Sequence, residues 1–351
     1  MNSTKIKRNS SLDIARIIAV LAIVMTHCSA GFTVAYDWTT KEFAFANIFN
    51  SASKIGVPFF LMISGALFLD ERKEVTINGV LRKNVLPLAI LTAIWSVVYS
   101  LLYNVLLPLL FGDPVTVEAI LHGIAFGHFH LWYLFMIIGI YMIAPFLKKF
   151  ACQENKGMVL FFITISFVAQ FSKPIVNVLC ELGLPVAFIN QWLDQFELDF
   201  FGGYITYFLV GWYIVHIGVK QKWLTYLIYL VGLASFAFII LYSQFTGRYA
   251  AVYSPVGAPV FLCSVGAFLA VNNRKCSVKE KTAKRLAGLS KLTFGVYILH
   301  VILISALTRV VPYRGHILLY IAATYMVVIV GAFCLCYVIS KIPVLKKLIR
   351  A

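Results

Sequence analysis

Hydrophobic residues in this chain come in long runs, not in the alternating or 3.6-residue patterns that give a soluble protein one wet face and one dry one. A helix that crosses a bilayer needs about twenty largely apolar residues, because no backbone polar group can stay unpaired in hydrocarbon. Ten stretches fit, at residues 12–32, 47–69, 85–111, 131–147, 157–178, 200–218, 223–243, 254–271, 286–307 and 317–340. The fourth is short and Pro255 and Pro259 interrupt the eighth, so nine or eleven crossings are the alternatives. The pattern predicts an all-α, polytopic transmembrane helix bundle of about ten spans. It also predicts one transmembrane domain over residues 1–351 with no soluble domain, since the longest polar connection, residues 272–285, is too short to fold alone.

Charge gives the bundle a direction. Of the thirty Lys and Arg residues, twenty-two fall on one side, five on the other, Lys173 among them near the end of the fifth run, and Arg16, Lys54 and Lys291 fall within runs. Acidic residues lean the opposite way: Asp37, Glu42, Asp113, Glu118, Glu181, Asp194, Glu197 and Asp199 all fall on the side poor in Lys and Arg. Basic loops stay in the cytoplasm, which places both termini there. The net charge of +16 is therefore a topology signal before it is a ligand signal, and nucleic acid is not an expected partner. Composition agrees: 61% of the 351 residues are hydrophobic and 13% are charged, against about a quarter charged in soluble domains. Seven scattered cysteines form no CxxC pair, so neither a disulfide framework nor a zinc site is expected. The first run carries Arg16 and His27 and ends without a small-residue cleavage pattern, which reads as a retained span.

Polar residues inside a span are costly, so each is a candidate site. The first run holds Asp13, Arg16 and His27. Eleven residues separate Arg16 from His27, three helical turns plus roughly 20°, so the two share a face about 16 Å apart along the axis. Arg16 then sits near the cytoplasmic surface, with Asp13 one turn away to hold its guanidinium, and His27 lies well inside the membrane. The alternatives are an arginine snorkelling to the headgroups and a histidine hydrogen-bonded within the bundle. His300 in the ninth run falls at a similar depth, again as a core histidine or a catalytic one. Arg72, Lys73, Arg82 and Lys83 cluster between the second and third runs. They suit either a phosphorylated ligand or lipid headgroups, or positive-inside charge alone. His128 and His130 lead into the fourth run at i, i+2 spacing; with no third ligand apparent, no metal site is expected. Lys54 and Lys291 receive no role.

Several segments occur together in order. Ser11-Leu12-Asp13-Ile14-Ala15-Arg16, ten residues and then His27 resemble the opening signature of the acyltransferase-3 family of bacterial membrane proteins. Val57-Pro58-Phe59-Phe60-Leu61-Met62-Ile63-Ser64-Gly65 is similar to its second-span motif, and Arg82-Lys83-Asn84-Val85-Leu86-Pro87 to its basic segment before the third span. His130-Leu131-Trp132-Tyr133-Leu134, the Phe-x-x-Gly-like stretch 203–211 and Thr293-Phe294-Gly295-Val296-Tyr297-Ile298-Leu299-His300 follow in the family's order. Asn84 and Val85 depart from it, standing where many relatives carry further basic residues.

The resemblance implies an O-acyltransferase of the bacterial cytoplasmic membrane. It would move acetyl from cytoplasmic acetyl-CoA to a hydroxyl of a cell-surface glycan or lipid-linked sugar, as short stand-alone surface-polysaccharide O-acetyltransferases do. His27 would be the essential histidine, with Arg16 and Asp13 beside it. Arg72, Arg82 and Lys83 would meet the coenzyme phosphates, and His130, Trp132, Tyr297 and His300 would support the acceptor. Neutral imidazole suits the role of a base near pH 7, and an acylated histidine would serve equally; no metal is expected. Membrane lipid is the other expected partner. The rival function is a transporter or flippase of a lipid-linked saccharide using Arg16 and His27 for ligand or proton binding.

Overall fold

A computed structural model describes residues 9–196, 202–273 and 278–350. Of the charges that set the predicted topology, Lys5, Lys7, Arg8, Glu197, Asp199, Arg274 and Lys275 lie outside the described residues. Within them the chain is helical, and nine helices are long and apolar enough to cross a membrane. We label the spans α1 (Ser10–Ala35), α2 (Lys41–Phe68), α3 (Ile77–Phe111), α4 (Val117–Phe150), α5 (Lys156–Glu181), α6 (Gly203–Ile217), α7 (Lys222–Thr246), α8 (Ala250–Asn273), α9 (Thr293–Val310) and α10 (Ile317–Ile339). α6 is the shorter, tenth one. Each overlaps one predicted run, and the molecule is an all-α polytopic helix bundle. The end where α1 begins is called proximal here, the other distal.

α1 forms the axis of the bundle. Ala15, Ala19, Val20 and Val24 have no exposed surface, and the helix contacts α2, α8, α9 and α10. Asn9 caps it by accepting from the Ser11 amide at 2.9 Å, and it runs without a break to Ala35. The spacing predicted for Arg16 and His27 on a continuous helix therefore holds.

Three spans are interrupted. α2 turns at Lys54 and Ile55 between Lys41–Ser53 and Gly56–Phe68. α8 breaks between Ala250–Tyr253 and Ala258–Asn273, with Pro255 in the break and Pro259 in the first turn of the second part. α4 consists of Val117–Phe126, then a loop and a short turn through Leu131, then Trp132–Phe150. Predicted run 131–147 is only the second part, because Val117–Phe126 packs beside α3 as a separate piece. Ser100 Oγ donates to the Ile120 carbonyl at 2.8 Å and Asn104 Nδ2 to the Ala119 carbonyl at 3.0 Å across that contact. The start of the ninth run also moves. An amphipathic helix, Glu280–Ser290, ends before Lys291, and the span starts at Thr293, leaving Lys291 in the turn.

α2 and α6 cross almost backbone to backbone at Gly65 and Gly211, which explains the glycines of both motifs. A Cβ built on Gly65 would lie 1.8 Å from the Phe208 carbonyl oxygen, and one on Gly211 would lie 1.9 Å from that of Met62. The loop after α2 is closed by Asp70, whose carboxylate accepts from Arg72 Nε at 2.9 Å and Nη2 at 2.7 Å. Lys148 Nζ adds bonds to the carbonyls of Leu69 (3.0 Å) and Asp70 (2.6 Å), a cation at a helix C-terminus. The Arg72 hydrogen bonds hold the Asp70 carboxyl down to about 2. With the folded value depressed, this tie stabilises the loop above the usual carboxylate range near pH 4 and is lost as pH falls through about 2. A nitroxide at position 74 is expected to be ordered from pH 7 to about 4 and to gain mobility below that, whereas in an Asp70→Asn background it is mobile throughout.

Candidate active site

Four histidines from three parts of the chain converge on one layer inside the bundle. α1 brings His27, α9 brings His300 and the break in α4 brings His128 and His130. The His27 and His300 ring centroids are 5.1 Å apart, and those of His130 and His300 are 5.5 Å apart. His27 is half-buried, with Phe129 on another side at 5.3 Å, whereas His130 and His300 are buried.

The neighbours fix these rings. A carbonyl only accepts, so His300 Nδ1, 2.6 Å from the Tyr297 oxygen, carries the proton, leaving a lone pair on Nε2. That Nε2 is buried without a hydrogen-bond partner, as is His130 Nε2. Unpaired buried nitrogens in a native fold call for a reason, and a bound reactant is one. His128 and His130 share a contact between their Nδ1 atoms at 3.1 Å. The loop carrying them turns at Gly127, whose φ of +72° suits a residue lacking Cβ. Tyr297 donates to the His130 carbonyl at 2.5 Å and so ties that loop to α9. Tyr297→Phe is expected to leave the fold intact and lower transfer about tenfold through kcat, the scale of one hydrogen bond. A rate within twofold of wild type would remove Tyr297 from the support of His130.

A ladder of aromatic residues on α3, spaced i, i+4, runs past this layer. Trp95 packs tilted on Tyr99 and Tyr99 stacks on Tyr103, with centroids 6.1 and 5.9 Å apart. Trp95 Nε1 donates to the Leu348 carbonyl at 2.8 Å, Tyr99 to Ile298 at 2.5 Å and Tyr103 to Ser305 Oγ at 2.7 Å. The Tyr99 ring lies 4.7 Å from His130, and the Tyr103 ring lies 4.4 Å from His128. Distal to the histidines, a cavity of ≈ 570 Å³ opens between α3 and the first part of α4; Tyr103, Asn104, Glu118, His122 and His128 are among its lining residues.

Proximal to the layer stand the predicted basic residues. Arg16 lies on α1 within electrostatic reach of Tyr133 and Tyr141. Asp13 is buried one turn earlier. Arg82 and Lys83 are exposed on a π-helical turn, Leu81–Val85, near the proximal end of α3. Arg72 is nearby in sequence, but its guanidinium is engaged by Asp70. Trp132, 39% exposed, packs on Tyr204 at the bundle surface and stands apart from the histidine rings.

Lys54, Tyr99, Tyr103 and His128 were not assigned roles from sequence. Lys54 occupies the break in α2 with its ammonium 4.4 Å from the Tyr253 ring centroid, an intramembrane cation at an interrupted helix. That combination is the signal that could have singled it out. Among the described residues, no three His, Cys, Asp or Glu side chains converge as metal ligands would.

Residues 9–341 match the family model described as an acyltransferase domain, nearly the whole chain. The chain belongs to the acyltransferase-3 family. Neither curated proteins nor solved structures provide a match to it. Family membership supports membrane acyltransferase activity.

Proposed function

We propose that the protein transfers acetyl from cytoplasmic acetyl-CoA to a hydroxyl of a cell-surface glycan or lipid-linked sugar, across the bacterial cytoplasmic membrane. The observation that carries this is the sandwich along α3: a basic proximal face, the histidine layer, then a distal cavity with aromatic and polar walls. The proximal end faces the cytoplasm, with both termini, in keeping with the distribution of Lys and Arg.

In this mechanism the thioester reaches His27 from the proximal side and the acceptor hydroxyl from the distal cavity. The hydroxyl oxygen attacks the thioester carbonyl carbon while neutral His27 takes the hydroxyl proton. Collapse of the tetrahedral adduct breaks the carbon–sulfur bond, and the departing thiolate takes the proton from the His27 imidazolium. Ester and free coenzyme result, with no proton or electron left over. His300, its Nε2 facing no partner, stands beside His27 to steady the imidazolium. Arg16, Arg82 and Lys83 attract the coenzyme phosphates, and Tyr103, Asn104 and Glu118 offer stacking and hydrogen bonds to a sugar.

Purified protein incubated with radiolabelled acetyl-CoA and candidate glycans or lipid-linked sugars is expected to leave label in the saccharide. Release of coenzyme without labelled saccharide, or translocation of the lipid-linked sugar without acylation, would overturn this assignment.

A further inference from the structure

Residues 341–350 follow α10, and all but the first lie beyond the stretch that matches the family. They do not trail away from the bundle. A short turn, Leu345–Ile349, folds back against α9 and α10. Ile349 is 1% exposed, and its Cβ lies 3.0 Å from where a Cβ on Gly295 would be. The Leu348 carbonyl takes the Trp95 hydrogen bond. The segment is thus fixed by the side chains of Leu348 and Ile349 and by the bond from Trp95, so its charges are not what anchors it.

Those charges line one depression. Ser340, Lys341, Pro343, Lys346, Lys347 and Arg350 surround a cavity of ≈ 440 Å³. Among the described residues no carboxylate pairs with any of the four cations; Lys341 lies 4.8 Å from the Tyr337 ring. Four cations around one cavity, with no carboxylate paired to them among the described residues, repel one another and favour a multivalent anion. Their position matters as much. Gly295 precedes His300 by five residues on α9, about 7.5 Å along the helix, and Trp95 is one turn proximal to Tyr99, which touches His130. The basic cavity therefore lies just proximal to the histidine layer.

We propose that residues 341–350 form a phosphate-binding wall of the donor site, with Lys346, Lys347 and Arg350 holding phosphate groups of the acyl donor while its thioester reaches upward to His27. This rests on the acyl-CoA reading above and adds a recognition element outside the family-wide motifs. An anionic lipid headgroup presents the same phosphate chemistry, so the test must separate the two.

The experiment uses the full chain in nanodiscs of phosphatidylcholine alone, and compares wild type with Lys346→Gln/Lys347→Gln/Arg350→Gln. Calorimetric affinity for CoA is expected to fall at least about tenfold in the variant, since charge-assisted phosphate contacts are strong. The preference for acetyl-CoA over phosphate-free S-acetylpantetheine in transfer should shrink by a similar factor. Lys346→Arg/Lys347→Arg should retain both properties. Equal CoA affinity in wild type and the glutamine variant would overturn the proposal; if binding to vesicles containing phosphatidylglycerol falls instead, the wall serves lipid. Wild-type protein that neither binds CoA nor transfers from acetyl-CoA would overturn the donor reading itself, a result visible before any variant is made.

Discussion

His27→Ala is expected to insert and fold normally but to transfer its acyl group about 10²–10⁴-fold more slowly, the usual loss when a general base is removed. His27 packs against the rings of Phe129 and His300 at 5.3 and 5.1 Å and keeps part of its surface exposed. His27→Gln separates chemistry from architecture. Glutamine keeps a hydrogen-bonding side chain of similar reach but cannot take up and release a proton near neutral pH. A base fails with both substitutions, whereas a packing histidine tolerates Gln far better than Ala. His300→Gln should give partial loss, because its Nδ1 is already committed to the Tyr297 carbonyl and it acts beside the reacting atoms. Transfer by His27→Gln within a few-fold of wild type would dismiss the base, and expression with a normal thermal transition is the control that makes any loss interpretable.

The spans were readable because a lipid-facing helix announces itself by bulk hydropathy, which needs no knowledge of packing. The common depth of His27 and His300 was readable too, since counting residues from the end of a continuous helix gives depth directly. His130 was harder. Hydropathy places it at the edge of a run, yet the chain turns at Gly127 and re-enters the bundle, and only the fold shows Tyr297 and Tyr99 receiving it. The predicted trio Arg72, Arg82 and Lys83 shows the opposite effect. Sequence proximity groups them, but Asp70, two residues from Arg72, closes a turn on its guanidinium, and that pairing depends on loop geometry that charge counting does not see. The basic cavity after α10 was folded into the topology signal for the same reason: its cations look like any positive-inside tail until Ile349 is seen buried against α9.

Gly65→Ala and Gly211→Ala are expected to prevent assembly of the native bundle or to lower its thermal midpoint sharply. Within a membrane, helices gain little from the hydrophobic effect against one another, so close van der Waals contact holds them together and small residues set the distance. At this crossing the added methyl would sit 1.8 Å from the Phe208 oxygen in one case and 1.9 Å from the Met62 oxygen in the other. These obstacles are backbone atoms, which no rotamer change can move, so α2 and α6 would have to separate along their contact. Overpacking a core by a methylene typically costs about 1–3 kcal/mol even where side chains can shift, and this site should lie at or above the top of that range. The separation would also carry Phe59, Leu61 and Met62, all without exposed surface, out of a core shared with α1 and α8. Gly139→Ala, on α4 with nothing within 4 Å of the added carbon, is the matched control and should unfold at the wild-type temperature. Wild-type midpoints and yields for Gly65→Ala and Gly211→Ala, measured in the same detergent, would mean that α2 and α6 do not cross at these glycines.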